Sequence, residues 1–251
     1  MKVAISQPTY LPWAGYFDLI DQVDCFVFLD TVQFEKRSWQ QRNRIKTPEG
    51  LLFLTVPVIV KGRFEQRIKD VEIESAFFVR KHLRSIESNY RRAPHFTQYF
   101  EEFAAILEAC SAGTRLADVN IRLVQWLCKT MGIQTPLRRS SEIEAEGGRG
   151  ERLLKICREL NANAYLSALG SAGYLLDDLD KFGAHGIEVS FQNYCHPQYS
   201  QLFAPFQPYA SAIDLLFNEG ERALMILRGG RKAPLRPEQV QIGEIAGAAS
   251  V

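Results

Sequence analysis

The chain has 251 residues, of which 46% are hydrophobic and 24% charged, and its formal net charge is +1. This size and balance suit one large globular domain with an insertion, and argue against a low-complexity or membrane-spanning chain. A charge so near zero argues against bulk electrostatic binding of nucleic acid, though not against a local basic patch.

Met1 to Ile5 is too short an apolar run for a signal peptide, so the expected location is cytoplasmic. The five cysteines form no CxxC pair, and most sit in apolar or helical contexts, so they read as buried thiols in a reducing compartment. The four histidines show no HxxxH or HxH spacing, and no metal site is expected.

Lys2 to Ser6 reads as a short buried strand, and residues 15–23 as an amphipathic helix. The turn between them carries Gln7, Pro8, Tyr10, Pro12, Trp13, Gly15 and Tyr16. Prolines stiffen this turn, and Gly15 permits close approach of a ligand or another backbone. Ligands of open α/β sheets bind beyond the carboxyl ends of strands, which makes Gln7, Tyr10, Trp13, Gly15 and Tyr16 candidate binding residues. Cys25 to Leu29 is a second buried strand ending in Asp30, a residue placed to contact a ribose or a cation, to act in catalysis, or to cap the next loop.

Residues 33–46 interleave basic side chains with Phe34, Trp39 and amides. Arg37, Arg42 and Lys46 suit phosphate oxygens, Trp39 suits a stacked ring, and Asn43 adds hydrogen bonds. A solvated charged hairpin is the plain alternative. Residues 51–58 pair with 42–46 as a hairpin, and residues 68–73 alternate like an edge strand.

From 77 to 133 the spacing turns helical, which gives a central helical insertion. A short strand is expected over 133–137. Gly147 to Arg152 then opens a helix with glycines, an anion-binding geometry or a flexible linker with a cap. Residues 164–167 form another strand that feeds a glycine-bearing turn, with Ser167, Gly170 and Tyr174 as binding candidates. The strand 187–192 follows, and beyond it lie Gln192, His196, Tyr199 and Gln201. His196 is the candidate general acid or base, because imidazole titrates near neutrality. Residues 211–218 read as a capped core helix, and residues 229–251 as a poorly anchored tail.

Four stretches, taken together and in order, resemble the WbqC-like proteins: residues 7–17, residues 34–46, Glu151 to Leu154 with Tyr165 to Ser167, and His196 to Gln201 with residues 211–220. Ala168 departs from the family's more frequent glycine. That family is associated with bacterial O-antigen gene clusters, so the resemblance implies a cytoplasmic step on a nucleotide-linked sugar. The turn Trp13-Ala14-Gly15-Tyr16 is also similar in place to the His-x-Gly-His signature of nucleotidylyltransferases and related ligases, although both histidines are absent.

The expected fold is α/β: a Rossmann-like, mostly parallel sheet with flanking helices, a β-hairpin excursion and a central helical insertion, spanning 1–228. The expected function is acyl or aminoacyl transfer to a nucleotide-activated amino sugar, with aminoacyl-tRNA as one candidate donor. The rivals are an ATP- and Mg-dependent ligase or nucleotidylyltransferase, and a non-catalytic module that binds RNA or a nucleotide sugar.

Overall fold

In a computed structural model, the described residues run from Met1 to Val240. Five parallel strands form the central sheet: β1 (Lys2–Ser6), β2 (Cys25–Phe28), β5 (Leu137–Arg139), β6 (Ala164–Ser167) and β7 (Glu188–Phe191). Their spatial order is β5-β2-β1-β6-β7. The chain builds outward from β1 in one direction, then returns to its other side with β6, so the order reverses between β1 and β6. This is the topology of a doubly wound sheet, and a crevice opens where the order reverses.

The inner strands β1, β2 and β6 are largely apolar because both faces are covered, whereas the edge strands β5 and β7 carry Arg138, Arg139 and Glu188. Successive side chains alternate between two cores. Ala4, Phe26, Phe28 and Leu166 enter the larger one, with the hairpin and the central helices. Val3, Ile5, Val27, Tyr165 and Val189 enter the other, with residues of α5 (Arg149–Glu159) and α7 (Leu179–Gly183). Strand residues of this kind exchange cores on a one-residue slip, which fixes the register.

The hairpin pairs β3 (Arg42–Thr47) with β4 (Gly50–Thr55), as expected from sequence. The helices α2 (Phe77–Tyr90), α3 (Phe96–Glu108) and α4 (Leu116–Met131) occupy the central segment. Their apolar stripes share one core with α1 (Ala14–Asp21), α8 (Ala212–Glu219) and α9 (Ala223–Gly229).

Three local expectations differ from the structure. Residues 68–73 are not an edge strand; Ile68–Asp70 form a single 3-10 turn with isolated bridges at Ile73 and Glu72. Ile68, Val71 and Ile73 are all buried, a spacing that a strand facing one core cannot satisfy. The strand expected at 133–137 begins only at Leu137, because the Ile133 N–H bonds back to the Cys128 carbonyl and closes the end of α4. The expected tail is tied down through its first part: Leu235 exchanges backbone hydrogen bonds with Phe191, and Arg231 forms ion pairs with α1. The remainder of that tail, 241–251, lies outside the described residues.

Candidate functional site

Two cavities flank the carboxyl end of β1. Ser6, its last residue, lines one and Gln7, the next residue, lines the other. Adjacent residues of an extended chain point to opposite sides, so a single turn supplies a wall to each cavity.

The first cavity has a volume of about 790 Å³. One wall is Gln7 with Gln40, whose Nε2 donates to the Gln7 Oε1 at 2.8 Å. The opposite wall is the start of α5, with Gly147, Gly148, Arg149 and Arg152, and Tyr174 beside them. α5 starts close to its neighbours: a Cβ on Gly150 would lie 1.7 Å from the Asp178 carboxylate, so only glycine fits there. The Arg149 guanidinium sits 5.8 Å from the Tyr174 ring centre. Arg152 donates to the Gly147 carbonyl at 3.0 Å, while its Nε is buried without a partner. Among the described residues neither arginine forms an ion pair. Two unneutralised guanidinia beside a helix N-terminus make a wall that attracts anions.

The second cavity, about 700 Å³, is aromatic. Trp13, Tyr16, Tyr194 and Tyr209 line it, together with Gly15, Gly170, Gln192, Asn193 and Lys232. The Gln192 Nε2 donates to the Gly15 carbonyl and to the Asp18 carboxylate, both at 2.8 Å. The Tyr16 hydroxyl donates to the Gln7 carbonyl at 3.0 Å and pins the turn.

His196 lines neither cavity. Its ring lies among Trp13, Tyr199, Phe206 and Tyr209, stacked on the Trp13 indole at 6.0 Å. Its Nδ1 is 2.9 Å from the Pro197 carbonyl and therefore carries the proton; Nε2 is buried without a partner. Burial pushes the imidazole pKa below its ordinary value, so the ring is neutral near pH 7.

Several sequence candidates lie in internal networks instead. Asp30 is fully buried and accepts from the Ser140 hydroxyl at 2.9 Å and from the Ser141 N–H and hydroxyl at 2.9 and 2.8 Å. It fastens the end of β2 to the turn that follows β5, and so caps a distant turn rather than the next loop. Tyr10 is buried with its hydroxyl 2.8 Å from His82 Nδ1. Lys46 is buried, and its Nζ reaches the Thr47 carbonyl at 3.3 Å, not a phosphate position. Asn43 is buried and accepts from the Arg44 N–H at 2.8 Å. Ser167 is buried, donating to the Ala168 carbonyl at 3.3 Å. Tyr199 and Gln201 both donate to Asp214, at 2.6 and 2.8 Å.

The basic aromatic loop also differs from its expectation. Trp39 stacks on Phe53 at 6.0 Å, with Arg42 over Phe53 at 4.6 Å and Arg44 over Trp39 at 5.0 Å. The stack caps the hairpin's own face, and Arg37 stands exposed on its loop. Neither Trp39 nor these arginines line the two cavities; from this loop Gln33, Phe34, Glu35 and Gln40 line the first. Arg149, Arg152, Gln40, Tyr194, Tyr209 and Lys232 were absent from the candidate binding residues. The glycines before α5 pointed to the first two; Tyr209 and Lys232 carried no local signal.

Among the described residues, no group of three or more His, Cys, Asp or Glu could hold a metal ion, and no helix is long and apolar enough to cross a membrane.

The sequence profile of the WbqC-like protein family matches residues 7–226. An uncharacterized protein of Mycobacterium tuberculosis (strain ATCC 25618 / H37Rv) is 42% identical over 229 residues, which cover 90% of this chain and 97% of the relative. No solved structure matches the chain. The match takes in the first cavity, and the second except Ser6 and the segment from Lys232 onward, and the chain belongs to the WbqC-like protein family.

Proposed function

We propose that this protein binds a nucleotide-linked amino sugar across the end of β1 and transfers an acyl or aminoacyl group to it, as a cytoplasmic step of surface-polysaccharide assembly. One observation carries the reading. The cavity beside the carboxyl ends of β1 and β2 is walled by Arg149 and Arg152, two arginines with no carboxylate partner among the described residues. Arginine forks and α5 N–H groups suit the oxygens of a diphosphate. The Gln7–Gln40 amide pair suits the edge of a base or a ribose. His196, the general base expected from sequence, lines neither cavity and is assigned no proton transfer.

Calorimetry with nucleoside diphosphates and nucleotide sugars tests the binding half. The expected result is micromolar binding that falls about a hundredfold or more in Arg149→Ala/Arg152→Ala, since each lost charge-assisted contact is worth about 1.5–3 kcal/mol. Absence of binding by every nucleotide would overturn it. The transfer half is read by mass spectrometry of a nucleotide-linked amino sugar incubated with acyl-coenzyme A or aminoacyl-tRNA. An unchanged mass with every donor would remove the transferase assignment.

A second reading is ATP-dependent ligation or nucleotidyl transfer. It is favoured by the Trp13-Ala14-Gly15-Tyr16 turn, which follows β1 beside the reversal of strand order. It predicts pyrophosphate release from ATP and Mg²⁺ in the presence of a carboxylic acid or sugar phosphate.

A further inference from the structure

The two cavities differ in chemistry. The arginine-walled cavity carries two cations and the Glu35 carboxylate, whereas Lys232 is the single charged side chain lining the aromatic one. Trp13 and Tyr209 meet edge to face at 5.3 Å, and Tyr194 packs on Trp13 at 5.6 Å. Gln192 has both its orientation and its Nε2 fixed by Gly15 and Asp18, and its Oε1 accepts no hydrogen bond among the described residues. A preset acceptor beside flat amphipathic rings matches a ring with hydroxyls on its edge and C–H groups on its faces.

We infer that the cavity walled by Trp13, Tyr194 and Tyr209 is a separate subsite for a sugar ring in its uncharged form, an amino sugar entering with its amine unprotonated. The ring lies against the aromatic wall, and its hydroxyls donate to Gln192 Oε1. The inference rests on the proposed function for what lies next door. Ser6 and Gln7 are neighbours in sequence, so the two cavities flank the same end of β1. A nucleotide-linked sugar laid across that end puts its diphosphate on Arg149 and Arg152, and its sugar on the aromatic wall.

The wall depends on Gly15. A Cβ at this position would lie 2.2 Å from the Trp13 indole, so the ring sits flat over the start of α1 only because residue 15 has no side chain. His196 stacks on the same indole at an interplanar angle of 15°. His196 therefore acts on this subsite as a positioning residue, through the Trp13 indole.

Saturation-transfer NMR with uncharged methyl glycosides of a hexose, a 6-deoxyhexose and an N-acetylhexosamine tests the subsite directly. The wild-type protein should transfer saturation to ring protons of at least one glycoside. Tyr209→Ala should weaken that binding about fivefold, the size of a lost stacking contact. Gly15→Ala should weaken it as much by displacing the indole. Alanine favours the helix there, so folding, read by circular dichroism, is retained. Absence of transfer from every glycoside, transfer to nucleosides alone, or unchanged transfer in both variants would each overturn the inference. The diphosphate calorimetry with Arg149→Ala/Arg152→Ala is independent of this result. Absence of nucleotide binding by the wild-type protein with glycoside binding intact sinks the reading of the arginine cavity and leaves the sugar subsite standing.

Discussion

His82 shows how one buried side chain couples stability to pH. It sits on α2, nearly without solvent contact, with the Tyr10 hydroxyl 2.8 Å from Nδ1 and Phe78 edge-on at 5.1 Å. Burial, aided by the charge of Lys81, pushes its pKa from 6.5 to about 4. The unfolded chain therefore binds this proton more readily than the folded one. The associated stability is complete above about pH 6.5 and is lost as pH falls toward 4, on the order of 3 kcal/mol in all. Urea titrations should show the wild-type midpoint falling over that window, and His82→Gln should flatten the slope. An identical slope in the variant would assign the acid sensitivity to another group.

At the scale of elements, α8 is organised by a buried charge. Ser211 caps the helix, accepting from the Ile213 N–H at 3.4 Å. Asp214 in its first turn is fully buried and accepts from Tyr90 at 2.9 Å, Tyr199 at 2.6 Å and Gln201 at 2.8 Å. Burial raises its pKa, while those three donors and the nearby Lys46 oppose the rise. The network ties α8 to α2, to β3 and to the loop after β7, and so supports the hairpin beside the arginine cavity. Tyr199→Phe removes one donor from a buried carboxylate and should cost about 1–3 kcal/mol in urea denaturation. Nucleotide affinity should stay at the wild-type value, because Tyr199 lines neither cavity. Reduced affinity at an unchanged midpoint would return Tyr199 to the binding site.

At the scale of the molecule, the C-terminal segment clamps the first helix to the last strand. Arg231 pairs with Asp18 at 2.8 Å and with Asp21, and Arg228 holds Asp21 from α9 at 2.8 Å. Asp18 is fully buried, and its pKa is raised by burial against the pull of Arg231 and Gln192. Arg231→Ala leaves that carboxylate buried with its amide partners alone, which should cost about 3 kcal/mol near pH 7. Losing the arginine raises the Asp18 pKa further, so the folded variant takes up a proton more readily than its unfolded chain. Its deficit relative to wild type should therefore narrow as pH falls to about 5. A deficit independent of pH would mean that Arg231 acts by packing alone. Because Gln192 bridges Asp18 and Gly15, the same clamp sets the floor of the aromatic cavity.

The sequence by itself determined the sheet, the hairpin, the central helices and the family. Continuous apolar runs between helical spacings permit little besides a doubly wound sheet, and both β1 and β6 visibly lead into polar turns. It also marked the turns that wall the cavities, through Gln7, Trp13, Gly15, Tyr174 and Gln192. Only the tertiary structure decided which polar side chains face a cavity. Lys46, Asn43, Tyr199, Gln201 and Asp30 stand in polar, loop-like stretches, yet each is used up by a partner inside the fold. Asp214 takes a proton donor from Tyr90, 124 residues away in the chain, and no local pattern encodes such a pairing. Arg231 and Lys232 fell in a stretch that composition alone gives to a loose tail. Their place follows from a buried carboxylate on α1, whose charge has to be met from wherever the chain can reach.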